Sequence, residues 1–128
     1  MKSLIIDSDP ADCKLLQEIL ESLGECRTFN SGNAAITAVK EALEAGAPFE
    51  LITLEVVLSD MDGTEALFEI RDMEEEWGIG EEETAVIMMV TAIAERDAIT
   101  TAFSAGCDDY VVKPFDNKGI IKRFRKSR

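Results

Sequence analysis

Short apolar runs alternate with longer stretches of helical period along this chain, and that alternation constrains its fold more than any other feature. Leu4-Ile5-Ile6, Leu51-Ile52-Thr53-Leu54, Thr84 to Val90 and Asp109-Tyr110-Val111-Val112 are too short for helices and suit buried strands. Glu25 to Phe29 reads as a weaker strand. Leu16, Ile19, Leu20 and Leu23 recur at i, i+3, i+4 and i+7, which predicts a helix from Pro10 that ends at Gly24, with Asp9 as its N-cap. A second helix follows Asn30-Ser31-Gly32-Asn33, turns Ile36, Val39 and Leu43 inward, and closes at Gly46-Ala47-Pro48. The third opens near Thr64 and buries Leu67, Ile70 and Met73, with Trp77 left open. The fourth runs from about Ala94 to Ala105, buries Ile99, Ala102 and Phe103, and stops at Gly106. A short fifth starts near Asn117 and is anchored by Ile120, Ile121 and Phe124.

Four of the five strands read as apolar throughout, as strands covered by helices on both faces should. Right-handed crossovers then predict a doubly wound five-stranded parallel sheet, an α/β fold in one domain spanning residues 1–128. Such sheets bind ligands beyond the carboxyl ends of their strands. That edge collects Asp7, Ser8 and Asp9 after the first strand, Glu55 after the third, Thr91 after the fourth and Lys113 after the fifth. Each taken singly has a plain reading; Glu55, for instance, could simply cap a strand at the surface. Three carboxylates, two hydroxyls and an amine, gathered just after four strands, point to a site.

Composition removes several alternatives. The chain has no His, so Ser-His or Cys-His catalysis and His-ligated zinc are excluded. Cys13, Cys26 and Cys107 form no CxxC pair and are expected as buried free thiols. No apolar window is long enough for a membrane span, and Asp7 interrupts the N-terminal run too early for a signal peptide, so a cytoplasmic setting is expected. The net charge of −13 argues against a nucleic-acid surface. It is unevenly spread. Asp72 to Glu83 holds seven acids, whereas Lys113 to Arg128 holds seven of the 13 bases and one acid, a solvated face or a partner surface.

These residues resemble the receiver domains of bacterial two-component response regulators, the CheY-like family. The likeness covers essentially the whole chain and rests on LIIDSDP at strand 1, the frame from Leu54 and Glu55 to Met61-Asp62-Gly63, Val90-Thr91-Ala92, and DYVVKPF at Asp109 to Phe115. The resemblance implies a flavodoxin-like (βα)5 sheet of strand order 2-1-3-4-5. It implies an aspartate after strand 3 that takes up a phosphoryl group, and Mg²⁺ held by acids after strand 1, by that residue and by a backbone carbonyl two residues on. In this chain those positions are Asp7, Glu55 and Val57. Thr91 and Tyr110 match the family's switch residues and Lys113 its phosphate-contacting lysine, while Pro114 matches a proline that follows a cis bond. The partners implied are a sensor kinase or a downstream effector, met through the face of helix 4, strand 5 and helix 5. The implied role is signalling by contact, not enzymatic turnover. No membrane and no nucleic acid is expected to bind this domain, and the oligomeric state stays open.

The departures from the family fall in one pocket. Glu55 stands where the acceptor aspartate belongs, Ser8 replaces the second acid after strand 1, and Ser59 replaces a common proline. A neutral hydroxyl is a poor ligand for Mg²⁺, which prefers anionic oxygens in octahedral geometry, so metal binding is expected to be weak or absent. The expectation is a pseudo-receiver without an aspartyl-phosphate cycle. In it Glu55 either imitates part of the phosphoryl contact at Lys113 or Thr91, or pairs with Lys113 in a fixed pocket. The alternatives are a conventional phosphorylatable regulator, a constitutive docking module, and a haloacid-dehalogenase-like phosphatase using Asp7 and Asp9. Helix 5 is held by few apolar anchors, which leaves room for a longer regulator with an output domain beyond Arg128.

Overall fold

A computed structural model describes residues 1–128. In chain order it contains β1 (Lys2–Ile6), α1 (Pro10–Glu21), β2 (Glu25–Phe29), α2 (Gly32–Glu44), β3 (Leu51–Leu54), α3 (Gly63–Glu76), a 3-10 turn (Glu81–Glu83), β4 (Val86–Thr91), α4 (Arg96–Ala105), β5 (Asp109–Val112) and α5 (Asn117–Ser127). The five strands form one sheet in the order β2-β1-β3-β4-β5, every pair parallel. This is the doubly wound, CheY-like arrangement read from the sequence. No helix is long and apolar enough to cross a membrane.

Because side chains alternate along a strand, each strand feeds two cores. Leu4, Ile6, Ile52, Leu54, Ile87 and Met89 point to the side covered by α2, α3 and α4. Ile5, Leu51, Val86, Met88, Val90 and Val111 point to the side covered by α1 and α5, where Leu16, Ile19, Leu20, Ile120 and Phe124 meet them. Ile6 and Leu54 are cross-strand neighbours, as are Leu54 and Met89, so Asp7 and Glu55 leave the sheet side by side.

Several expected positions shift. Trp77 is about half exposed, at 48%, because it sits one residue past the last turn of α3 as its C-cap. Phe103 is also exposed, at 46%: α4 lies over the short edge strand β5, which covers Ala102 fully but leaves the helix's outer flank in water. Thr84 ends the 3-10 turn, with β4 starting at Val86, and α4 starts at Arg96 after Glu95, not at Ala94. Of the three free thiols only Cys107 is buried; Cys13 and Cys26 are half-buried. Burial, with Asp108 and Asp109 nearby, pushes the Cys107 thiol up to about 11, so it stays protonated and inert.

A carboxylate–lysine cluster at the sheet edge

Glu55 is the first residue beyond β3, and its N–H still extends the sheet ladder by donating to the Ile6 carbonyl at 3.0 Å. The loop that follows turns back on it at once. The Gly63 N–H donates to the Val56 carbonyl at 2.7 Å, and Val57 bridges Asp62 in antiparallel fashion. A Cβ on Gly63 would lie 1.9 Å from the Glu55 carbonyl oxygen, so only glycine fits there. Asp62 then caps α3 by accepting from the Thr64 N–H at 2.7 Å. The Met61-Asp62-Gly63 turn therefore fixes where the Glu55 side chain starts.

That side chain is buried and occupied at both oxygens. Oε2 accepts from the N–H groups of Val56 (2.6 Å) and Val57 (3.4 Å), and Oε1 accepts from Lys113 Nζ at 3.0 Å. The same ammonium lies 3.0 Å from Asp7 Oδ2 and 2.9 Å from Asp12 Oδ2. One cation is thus shared by three carboxylates from three elements. Burial would lower the Lys113 pKa, but Asp12, Asp7 and Glu55 outweigh it and hold the lysine above its ordinary value. Asp7 goes the other way for a carboxylate: burial raises its pKa, against the Asp9 N–H (2.9 Å to Oδ1) and Lys113. Its Oδ2 is ion-paired to Lys113 but has no aligned hydrogen bond.

The remaining expected residues divide. Ser8 donates its hydroxyl to the Val57 carbonyl at 3.3 Å. Asp9 is turned away from the lysine, capping α1 through the N–H groups of Ala11 (2.9 Å) and Asp12 (3.3 Å). A phosphatase pair of Asp7 and Asp9 would therefore lack its second acid. Thr91 is buried, and its Oγ1 accepts from the Ile93 N–H at 3.3 Å; it has no bond to Glu55. Tyr110 is buried as well and donates its hydroxyl to the Ile93 carbonyl at 2.7 Å. Both switch-position side chains thus hold the loop before α4. The Lys113–Pro114 bond is cis. Ser59 is exposed in the loop after Glu55.

Two members of this region escaped the sequence reading. Asp12 looks like an ordinary acid in a first helical turn, and only its place three residues after the N-cap, on the turn facing the sheet edge, marks it. Asp60 reaches across to α2 and accepts from Gly32 N–H and Asn33 N–H, each at 2.9 Å, bonds that lower its pKa. Its signal was the bare turn sequence, which does not say which helix it would cap.

The groups that the resemblance assigns to Mg²⁺ are engaged within the chain in this arrangement. Asp7 and Glu55 are committed to Lys113, the Val57 carbonyl already accepts from Ser8, and Asp9 faces the helix.

Residues 3–125 match the family model of the response regulator receiver domain. The chain is 33% identical over 120 residues to the sensor protein GacS of Pseudomonas syringae pv. syringae, covering 93% of this chain and 12% of that protein. It is 30% identical over 124 residues to the transcriptional regulatory protein ResD of Bacillus subtilis, covering 97% of this chain and 46% of that protein. A solved two-component response regulator from Clostridium difficile superposes with a TM-score of 0.82 at 29% identity, over 99% of this chain and 94% of that one. The chain spans less than half the length of the curated relatives it matches.

Proposed function

The chain belongs to the response regulator receiver family, and from that premise we propose that it is a receiver in which a built-in carboxylate–lysine cluster replaces the aspartyl-phosphate cycle. The observation that carries this reading is the Glu55–Lys113 contact at 3.0 Å. Receivers are signalling modules that meet sensor kinases and effectors. In this one the lysine that would neutralise an incoming phosphoryl group is already held by Glu55, Asp7 and Asp12. Burial and the Val56 N–H keep the Glu55 carboxylate in place.

Of the two outcomes open for Glu55, the geometry supports a fixed pocket with partial mimicry. The carboxylate reaches Lys113 and leaves Thr91 alone, and it brings about one negative charge where a phosphoryl group brings up to two. The inward, hydrogen-bonded Tyr110 favours a face of α4, β5 and α5 held in one shape. That face is the one assigned here to a kinase or effector, in a cytoplasmic setting. Weak or absent Mg²⁺ binding belongs to the same proposal.

Intact-protein mass spectrometry after incubation with acetyl phosphate and Mg²⁺ tests it. The natural chain is expected to carry no phosphoryl adduct, and a stoichiometric adduct on it would return the protein to the conventional phosphorylated regulators. Glu55→Asp and the double variant Ser8→Asp/Glu55→Asp run alongside. An adduct on the double variant only would locate the loss in both the acceptor and the metal ligand.

A further inference from the structure

The face between α3 and α4 carries chemistry that the carboxylate–lysine cluster does not use. A groove of about 670 Å³ runs between these helices, with Val56 and Phe68 in its apolar lining and Asp62, Glu65, Glu69 and Asp97 around it. Phe68 is 62% exposed, the most exposed of the large apolar side chains. An aromatic ring left in water beside other apolar surface is what a docking site offers before it is filled.

The charge is as one-sided as the shape. No Lys or Arg lines the groove, and Glu65, Glu69 and Asp97 enter no ion pair within the chain. Unneutralised carboxylates around one cleft focus a negative potential that attracts cations. The rim thus selects a basic occupant, and the apolar floor selects one with an apolar stripe. The walls are helices, and α4 with its 10 residues is roughly 15 Å long, the length of about three turns of a docked helix.

We propose that the α3–α4 groove docks a basic amphipathic helix of a partner protein. Its apolar stripe would sit on Phe68 and Val56, and its lysines or arginines would face Glu65, Glu69 and Asp97. The basic α5 of a second copy does not meet this description. Ile120 and Phe124 are buried in its own core, so its outward face is charged without an apolar stripe. The groove shares α4 with the face of α4, β5 and α5 but opens on the flank of that helix turned to α3, and its apolar and acidic lining is present whether or not Glu55 has replaced phosphorylation.

The test titrates the ¹⁵N-labelled chain with a synthetic helix carrying leucine at i, i+3, i+4 and i+7 and lysine elsewhere. A scrambled peptide of the same composition serves as control. Amide shifts are expected to concentrate on Val56, the first two turns of α3 and the α3-facing side of α4, with the scrambled peptide at least tenfold weaker. Phe68→Ala is expected to weaken binding at least tenfold while leaving the rest of the spectrum unchanged, since the ring is mostly in water. Glu65→Gln/Glu69→Gln is expected to flatten the salt dependence. Equal binding of the scrambled peptide, shifts centred on another face, no binding, or an unaffected Phe68→Ala variant would each overturn the proposal. Concentration-dependent shifts in the groove without peptide would assign it to a second copy and overturn it likewise.

Discussion

Lys113 is the residue on which the site turns, because one half-buried ammonium is shared by three carboxylates. Removing one partner from a buried charge cluster leaves the others desolvated and unpaired, which costs about 3–5 kcal/mol. Lys113→Ala is therefore expected to lower stability at neutral pH by about 3 kcal/mol in urea unfolding. The deficit should shrink as pH falls through the carboxylate range, where the stranded acids take up protons. A pH-independent deficit would show that the lysine acts through packing of its stem instead. Asp7 makes the opposite prediction. Its folded pKa is raised above the ordinary 3.8, so its contribution is fully present below that value and is lost as pH rises through the folded pKa. Asp7→Asn should accordingly gain thermal stability over the natural chain at neutral pH, and the gain should vanish on acidification below 3.8. An unchanged difference across that window would mean that Lys113 fully offsets the burial of Asp7. Glu55, Asp7 and Lys113 were legible in the sequence because each directly follows an apolar strand. Asp12 was not, because its role depends on how a helical turn faces a lysine from the far end of the chain.

Among the elements, α3 does more than cover the sheet. Arg71 donates to the Gly106 carbonyl (2.9 Å), the Ala85 carbonyl (2.8 Å), Glu74 Oε1 (2.7 Å) and Asp108 Oδ2 (2.8 Å). Glu74 Oε2 in turn accepts from the Ala85 N–H, and Asp108 Oδ2 from the Ile87 N–H, both at 2.8 Å. This cluster ties α3 to the entries of β4 and β5, at the sheet edge opposite Lys113. Arg71→Met would leave the buried Glu74 without its cation and is expected to cost about 3 kcal/mol. Amide exchange should quicken first at Ala85, Ile87 and Asp108, whereas uniform loosening of all five strands would contradict a local clamp. None of this was visible in the sequence, where Glu74 is one of seven acids between Asp72 and Glu83. Strands were legible as short runs that are apolar throughout, and helix cores because burial repeats with period 3.6. Helix ends were not: Phe103 was assigned inward and Trp77 left open because periodicity says nothing of where the covering neighbour stops.

On the scale of the whole molecule, charge is segregated. Residues from Lys113 onward hold seven of 13 bases and one of 26 acids, so the preceding chain carries six bases against 25 acids, a net of −19 beside a tail of +6. Added salt then acts in two directions. It relieves repulsion within the acidic body, and it weakens the attraction that helps hold α5, whose apolar anchors into the core are few. The body's excess is the larger, so the midpoint of thermal unfolding is expected to rise between low salt and about 0.5 M NaCl, where the Debye length has fallen to a few ångström. Over the same range amide exchange in α5 should quicken while it slows in β1, β3 and β4. A tail held by Ile120 and Phe124 alone would instead keep its protection as the body gains stability, and the two profiles would move together. The segregation bears on the signalling role proposed above, in which α5 forms part of the face assigned to a partner. Salt-dependent protection confined to that helix would mark it as the element most easily remodelled when a charged partner arrives.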